Sequence, residues 1–407
     1  MLQPFKTKNR MNVLSLFDGM SCGQQALERS GVRVDNYFAS EIDKYAIKVT
    51  QANYPKTNQL GSVIDVDGYS LPNIDLLLGG SPCQSFSFAG KRKGMSTKDE
   101  QEILTLEHYL KLKSEGFEFE GQSYLFWEYM RLLKEVKPKY FLLENVMMGN
   151  KWEKILSKAI GVNPIEINSS LVSAQNRRRL YWTNIGMIPS GLFGDLESVI
   201  QQPKDKGIVL RDVIEKEVDN KYFLSSKIIS GFERHKNRHE AKGTGFGFKP
   251  KNGSEKGNCL RANASLCPTD NMILTPTNIL NNGKTIGKEI KKAHTLLSRD
   301  YKGFNTYGSN GVVVNKINLL ILDCYNNNFR NDGKVGTITQ HMSRSGMTNG
   351  FKAIIDSRIR RLTPVECERL QTVKDNYTNH VSDTQRYKML GNGWTVDVIS
   401  HILNYIK

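Results

Sequence analysis

The sequence predicts an α/β fold, a doubly wound and mostly parallel sheet joined to a second, smaller, irregular β-rich domain. Two observations point there. Over residues 12–185 short apolar runs alternate with segments of helical period, the pattern of side-by-side strands covered by helices on both faces. After about residue 190 Gly and Asn become frequent, apolar runs shorten and long helical periodicity disappears, the texture of short strands and loops. The 407 residues have room for two or three domains at roughly 100–200 residues each. The expected division is 1–190, completed by 381–407, against 191–380.

The elements follow in order. Val13 to Phe17 is a short apolar strand ended by Asp18-Gly19, and Gln24 to Ser30 a helix closed by Gly31. Tyr37 to Ser40 is a second strand ending at Glu41, followed by a helix from Asp43 to Asn53. Ile74 to Leu78 is a third strand, ended by Gly79-Gly80. From Leu125, apolar residues at 125, 126, 129, 132, 133 and 136 keep the spacing of an amphipathic helix, which Pro138 stops. Tyr140 to Leu143 and Tyr181 to Ile185 are further strands. Thr363 and Pro364 read as an N-cap and first helical residue of a helix through Leu370. A last amphipathic helix spans Val396 to Ile406. In such sheets ligands bind beyond the carboxyl ends of the strands. Phe17-Asp18-Gly19, Glu41, Pro82-Cys83 and Glu144-Asn145 all follow apolar strands.

Composition narrows the classes. A hydrophobic share of 39% with 24% charged residues excludes wholesale disorder. No run reaches the roughly 18 apolar residues of a membrane helix. The first residues lack the apolar core of a signal peptide, so the expected setting is cytoplasmic. About ten residues precede the first strand, too few for a helix-turn-helix or reader domain, and Met11 is a plausible alternative start. The net charge is +16, with residues 191–355 alone carrying 25 Lys/Arg against 15 Asp/Glu. Such an excess suits a polyanion, nucleic acid before an anionic membrane surface. It also serves plain solubility.

The six cysteines at 22, 83, 259, 267, 324 and 367 form no CxxC pair and no zinc-like spacing with His, so no metal is expected. Cys259 and Cys267 are too isolated for a four-ligand site, and most of the six read as buried, inert thiols. Residues 191–355 hold a loose repeat beginning at Lys256, Lys292 and Lys334, each copy followed by polar or basic residues that include Arg261, Arg299, Lys302 and Arg344. Three strand-loop units offering basic loops to a phosphate backbone would look like this; so would chance.

Cys83 ends the glycine-rich turn Gly79-Gly80-Ser81-Pro82, with Lys91, Arg92 and Lys93 nearby to help form a thiolate. By itself such a cysteine is more often inert than nucleophilic. Glu144, just past an apolar strand, would be partly desolvated, which raises its pKa and suits it to hold or deliver a proton. Alone, it fits a capping or solvated residue equally well. Arg177 and Arg179 precede another strand and could grip a phosphate or a base carbonyl, although a basic triplet is usually a solvated face. The turn from Asp18 to Gly23 is neither a Walker motif nor GxGxxG. With Glu41 placed for a ribose diol, it suggests an adenosine-bearing cofactor without a triphosphate.

Taken jointly, Phe17-x-Gly19, Glu41, Pro82-Cys83-Gln84, Glu144-Asn145-Val146, Gln175-x-Arg177-x-Arg179, a variable basic region and Gly391-Asn392 resemble the DNA (cytosine-5)-methyltransferase family. The resemblance covers residues 12–190 and 358–406; the segment between matches the family's target-recognition region by position only. It implies an S-adenosylmethionine-dependent methyltransferase fold with S-adenosylmethionine as methyl donor and duplex DNA as substrate. Cys83 would attack C6 of a flipped-out cytosine, Glu144 would bond its N3 and amine, and Arg179 would hold its carbonyl, supported by Arg177. Phe17, Gly19, Met20, Glu41, Ile42, Val63, Pro82, Leu125, Asn392 and Gly393 would line the cofactor pocket. Gln84, Ser87, Lys91 and Lys93 would belong to a loop closing over the base, and Arg261, Arg299, Lys302 and Arg344 would meet DNA. A bacterial or phage modification enzyme is implied, acting as a monomer and protecting DNA from a restriction endonuclease of the same site. Transfer RNA as substrate and a catalytically inactive DNA-binding homologue are the rival readings.

Some positions depart from the family pattern. Ser21-Cys22 stands where a glycine pair is usual. Gly61-Ser62-Val63 lacks the carboxylate expected on the adenine amine, unless Asp65 replaces it. Asn392-Gly393 replaces Asn-Ser. The stretch from Met95 to Ser123 is longer than in compact members and reads as a helical insertion.

Overall fold

The computed structural model describes residues 10–82, 95–99, 101–190, 195–244, 247–251, 253–262, 266–275, 279–281, 310–312, 321–323, 328–330, 351–353 and 358–406. Its centre is a seven-stranded sheet. The strands are β1 (Met11–Leu16), β2 (Val34–Ser40), β3 (Asn58–Gln59), β4 (Leu76–Gly79), β5 (Tyr140–Val146), β6 (Ile165–Asn168) and β7 (Arg178–Thr183). Their order is β3-β2-β1-β4-β5-β7-β6. The first five are parallel, and β7 runs antiparallel to both neighbours. The chain runs outward from β1 to β3, then crosses back to lay β4 on the other side of β1. The topological switch point, where such sheets bind ligands, therefore lies at the carboxyl ends of β1 and β4.

Helices α1 (Cys22–Arg29), α2 (Lys44–Asn53), α3 (Leu106–Ser114), α4 (Phe126–Val136) and α5 (Asn150–Ile160) accompany the sheet. Asp43 caps α2 by accepting from Tyr45 N–H at 2.9 Å. Lys137, left-handed at φ 43°, ends α4 just before Pro138. Leu14, Leu16, Leu77, Trp127, Tyr129 and Trp182 are fully buried and belong to one cluster. The expected insertion helix is α3. Its Tyr109 and Lys113 both donate to the wholly buried Glu128 of α4, whose other oxygen accepts from Arg131.

The chain divides into two compact units: residues 1–218, 253–271 and 362–407, and residues 219–252 with 272–361. This differs from breaks at 190 and 380. Residues 191–218, 253–271 and 362–380 fall in the first unit because the chain returns to it by backbone pairing. Gly257 N–H donates to Ala174 O at 2.6 Å, and Asn176 N–H to Gly257 O at 2.9 Å. A hairpin of β8 (Met187–Ser190) and β9 (Asp195–Ser198) also belongs here.

The second unit holds α6 (Ser226–Ala241), of 16 residues, where the sequence texture predicted no long helix. Its apolar residues Ile228, Ile229 and Phe232 sit in the first half, and the rest is mostly charged. That leaves no sustained apolar stripe to read. β10 (Met272–Thr275) pairs antiparallel with a strand at Arg358–Arg361. Further small antiparallel pairings join 279–281 to 310–312, and 321–323 to both 328–330 and 351–353. Among the described residues no helix is long and apolar enough to cross a membrane.

The first unit is completed by α7 (Pro364–Leu370), α8 (Asp383–Asn392) and α9 (Val396–Leu403). The expected Thr363 cap is a full capping box with Glu366. Glu368, fully buried on α7, accepts from Asn376 N–H (2.6 Å), Thr378 N–H (2.8 Å) and Arg386 Nη2 (3.0 Å). Removing one partner of a buried ion pair strands the other. Glu368→Ala is expected to cost about 3–5 kcal/mol in urea unfolding, and a loss below 1 kcal/mol would refute this account of the brace.

Candidate active site

A cavity of about 560 Å³ opens at the switch point, within the few hundred cubic ångströms usual for small-molecule sites. Its walls come from the loops after the strands. Phe17 and Gly19 follow β1, Glu41 and Ile42 follow β2, and Pro82 closes the turn after β4. Val63 and Leu125 add apolar surface, and Asn392 and Gly393 come from the end of α8.

The first turn is conformationally demanding. Phe17, Gly19 and Ser21 all take left-handed φ, at 58°, 58° and 61°, which is costly for the two non-glycine residues. Side-chain bonds hold it. Asp18 accepts from Tyr37 Oη at 2.7 Å and Ser21 Oγ at 2.5 Å. Gly19 N–H donates to Glu41 Oε2 at 2.8 Å, while Ile42 and Asp43 N–H donate to Oε1 at 2.7 and 2.8 Å. Glu41 is thus fixed by three backbone donors, leaving roughly one of about four lone-pair directions for a hydroxyl. Ile42 stands 72% exposed beside it, an apolar platform.

Two expectations change. Met20 is buried at 1% exposure and does not line the cavity. It joins the core, and its carbonyl accepts from Tyr377 Oη at 2.7 Å. Asp65 is exposed and also absent from the wall, where Ser62 and Ile64 stand instead. No carboxylate thus replaces the one missing at Ser62 along this stretch.

At the far end, Glu144 and Asn145 are not past the strand but within its last turns of pleat, since β5 runs to Val146. β7 pairs with it so that Arg179 faces Val146, and Arg179 Nε lies 2.9 Å from Glu144 Oε1. Arg177, 4% exposed, donates to the carbonyls of Gly391 (3.2 Å) and Gly393 (3.0 Å). Asn145 donates to Ser81 Oγ at 3.0 Å, anchoring the turn that leads into Cys83. Gln175 accepts from Leu260 N–H at 2.8 Å and donates to Leu370 O at 3.3 Å. Cys83, Gln84, Ser87, Lys91, Lys93, Arg299, Lys302 and Arg344 lie outside the described residues. Arg261 is exposed, pairs with Asp270 at 2.6 Å and does not line the cavity.

Sequence reasoning missed two residues. Trp394 lines the cavity against Gly80, where an added Cβ would meet the indole Nε1 at 2.9 Å. Its position directly after Gly391-Asn392-Gly393 was the available signal. Cys259 receives hydrogen bonds from Arg177 Nη1 at 3.2 Å and Arg179 Nη2 at 3.7 Å. Nothing in its spacing announces this. Burial raises the thiol's pKa, but the two guanidiniums outweigh it and hold Cys259 below the usual thiol value. Most of the six cysteines were expected to be buried thiols without partners, and Cys259 differs in having these two cations on its sulfur. Cys22, by contrast, is buried and pushed up to about 12.

Burial pushes the Asp18 carboxyl up from 3.8 to about 6, against the opposing hydrogen bonds of Ser21 and Tyr37. The protonated form suits the fold, so this group's contribution to stability is full below pH 4 and is lost as pH rises through 6. Asp18→Asn should therefore gain on the wild type by about 2 kcal/mol between pH 4 and pH 7.5, at about 1.4 kcal/mol per pH unit reduced for partial exposure. Urea unfolding at the two pH values measures this, and parallel behaviour of the two proteins would refute it.

The model of the C-5 cytosine-specific DNA methylases matches residues 11–407. An orphan methyltransferase, M.SPRI of Bacillus phage SPR, is 28% identical over 453 aligned positions, covering 97% of this chain and 96% of its own length. The type II methyltransferase M1.ScrFI of Lactococcus lactis subsp. cremoris is 25% identical, covering 98% and 79%. Among solved structures, the Entamoeba histolytica methyltransferase EhMeth has the same fold, with TM-score 0.54, 14% identity and 98% coverage of each chain. The S. pombe Dnmt2 methyltransferase follows at TM-score 0.50 and 16% identity, covering 97% of this chain and 98% of its own. With the family model matched over nearly all its length, and with these strands, turns and paired charges in place, the chain belongs to the C-5 cytosine-specific DNA methylase family and is a DNA cytosine methyltransferase.

Proposed function

We propose that the chain transfers a methyl group from S-adenosylmethionine to C5 of a flipped-out cytosine in a short, specific sequence of duplex DNA, through a covalent bond from Cys83 to C6. The observation that carries this is the Glu144–Arg179 pair, set at 2.9 Å on the cavity wall beside the turn entering Cys83. The cavity fits the methyl donor: Glu41 retains an acceptor direction for a ribose hydroxyl, and Phe17, Ile42, Val63 and Leu125 offer apolar faces to a purine. When bound, that donor supplies an electrophilic methyl on a sulfonium.

The protein's residues do the rest. C5 of cytosine is a weak nucleophile within an aromatic ring. The Cys83 thiolate adds to C6, which moves the ring electron pair onto C5. Glu144 bonds N3 and the exocyclic amine and stabilises the ring as it takes up a proton, while Arg179 holds the carbonyl and Arg177 supports it. After C5 is methylated, a base removes the C5 proton and the Cys83–C6 bond breaks, restoring aromaticity. The target base must leave the stack first, because Cys83 cannot reach C6 within it. We assign the chain the biological role of marking DNA against a restriction endonuclease of the same site, in a bacterial or phage setting.

The test uses a duplex with a randomised window, the purified chain and S-adenosylmethionine, followed by bisulfite sequencing. Protection is expected at cytosines of one short motif, with none for Cys83→Ala and a rate about 100-fold lower for Glu144→Gln. Methylation of bulk transfer RNA in place of the duplex would overturn the substrate reading. Protection unchanged by Cys83→Ala would overturn the mechanism.

A further inference from the structure

We infer that Cys259 is a positioning residue for methyl transfer, its sulfur gathering the guanidinium groups of Arg177 and Arg179 into the geometry the base requires. This rests on the reading of Arg179 as the group that holds the cytosine carbonyl. Two guanidiniums side by side repel each other, and each needs an acceptor once water is excluded. Arg177 satisfies three donor directions with Gly391 O, Gly393 O and Cys259 Sγ. Arg179 is held between Glu144 Oε1 at 2.9 Å and the same sulfur at 3.7 Å. A continuous chain results: Glu144, Arg179, Cys259, Arg177 and the glycine turn at 391–393.

The sulfur is itself fixed from both sides. Gly257 pairs through its N–H and carbonyl with Ala174 and Asn176, and Leu260 N–H donates to the buried Gln175. Asn258 N–H donates to Asn271 Oδ1 at 2.6 Å. Cys259 does not line the cavity, so it acts through the arginines and not on substrate. The lowered pKa of its thiol agrees with this placement, since partial negative charge on sulfur is what two cations favour.

The experiment compares the full-length wild type with Cys259→Ala and Cys259→Ser. Methyl transfer to duplex DNA is measured at saturating substrates, and S-adenosylmethionine affinity by calorimetry. Cys259→Ala should lower kcat about tenfold, the loss of a charge-assisted bond, and leave cofactor affinity within about twofold. Cys259→Ser, whose hydroxyl accepts the same bonds, should recover most of the rate. Combining Cys259→Ala with Arg179→Lys should cost little beyond Arg179→Lys alone, because both break one unit. An unchanged kcat in Cys259→Ala would overturn the inference, leaving the proposed reaction intact. So would serine behaving like alanine with an equal fall in Tm for both, which marks simple packing. A wild type that binds cofactor but methylates neither duplex DNA nor transfer RNA would overturn the reaction, and this inference with it.

Discussion

The candidate active site depends on one reversal of direction in the sheet. In a parallel sheet only carboxyl ends of strands reach the ligand-binding edge, so chemistry must follow the strands. β7 runs antiparallel to β5, and its amino end therefore arrives where the carboxyl end of β5 finishes. Arg179 consequently lies beside Glu144, and Arg177 just before the strand reaches the turn at Gly391–Gly393. A parallel β7 would carry both arginines to the opposite edge of the sheet, far from Glu144. The cation that pairs with the central carboxylate is thus a consequence of topology before it is one of side-chain choice.

Desolvation makes that placement strict. Arg177 is almost wholly buried, and its charge is met by two carbonyls and a sulfur. Asn145 and Gln175, both fully buried, tie β5 and the start of β7 to neighbouring segments through side-chain bonds. In a medium of low dielectric each such polar group must be paired, and once paired it tolerates little displacement. The first turn works in the same way. Left-handed φ at Phe17 and Ser21 opposes the fold locally and is offset by hydroxyls on Asp18 and backbone donors on Glu41. The walls of the cavity are therefore held by hydrogen bonds and charge pairing as much as by packing.

What was legible in the sequence follows from the range over which each signal acts. β1, β2, β4 and β5 are short apolar runs closed by Gly, Asp or Glu, and periodicity finds them. The Thr363-Pro364 cap is a local code and was read correctly. β6 is four residues, Ile-Glu-Ile-Asn, too short an alternation to stand out, whereas α5 carries a helical stripe at 152, 155, 156, 159 and 160 that was legible and left unassigned. Helix α6 has too little apolar surface for its period to show. At the site, Glu41 was readable because it follows the second strand and stands together with the glycine turn from Asp18 to Gly23, the pairing that suits a ribose diol. Met20 was not: its neighbours line the cavity, but the left-handed kink at Ser21 turns the chain and sends Met20 into the core. Cys259 lay beyond reach because its role arises from a pairing more than eighty positions away in sequence.

That pairing also bears on where the catalytic unit ends. Texture alone assigns residues 253–271 to the irregular second domain, yet they fold with the first. The stretch lies on Ala174, Gln175 and Asn176 by direct hydrogen bonds, immediately before the two arginines. The chain re-enters the first unit at 253 and leaves it after 271, and within that stretch Gly257 pairs with Ala174 and Asn176. Gly257 through its backbone and Leu260 through the Gln175 side chain tie the Cys259 segment to the stretch that enters β7, so this part of the candidate site is assembled from positions about eighty residues apart.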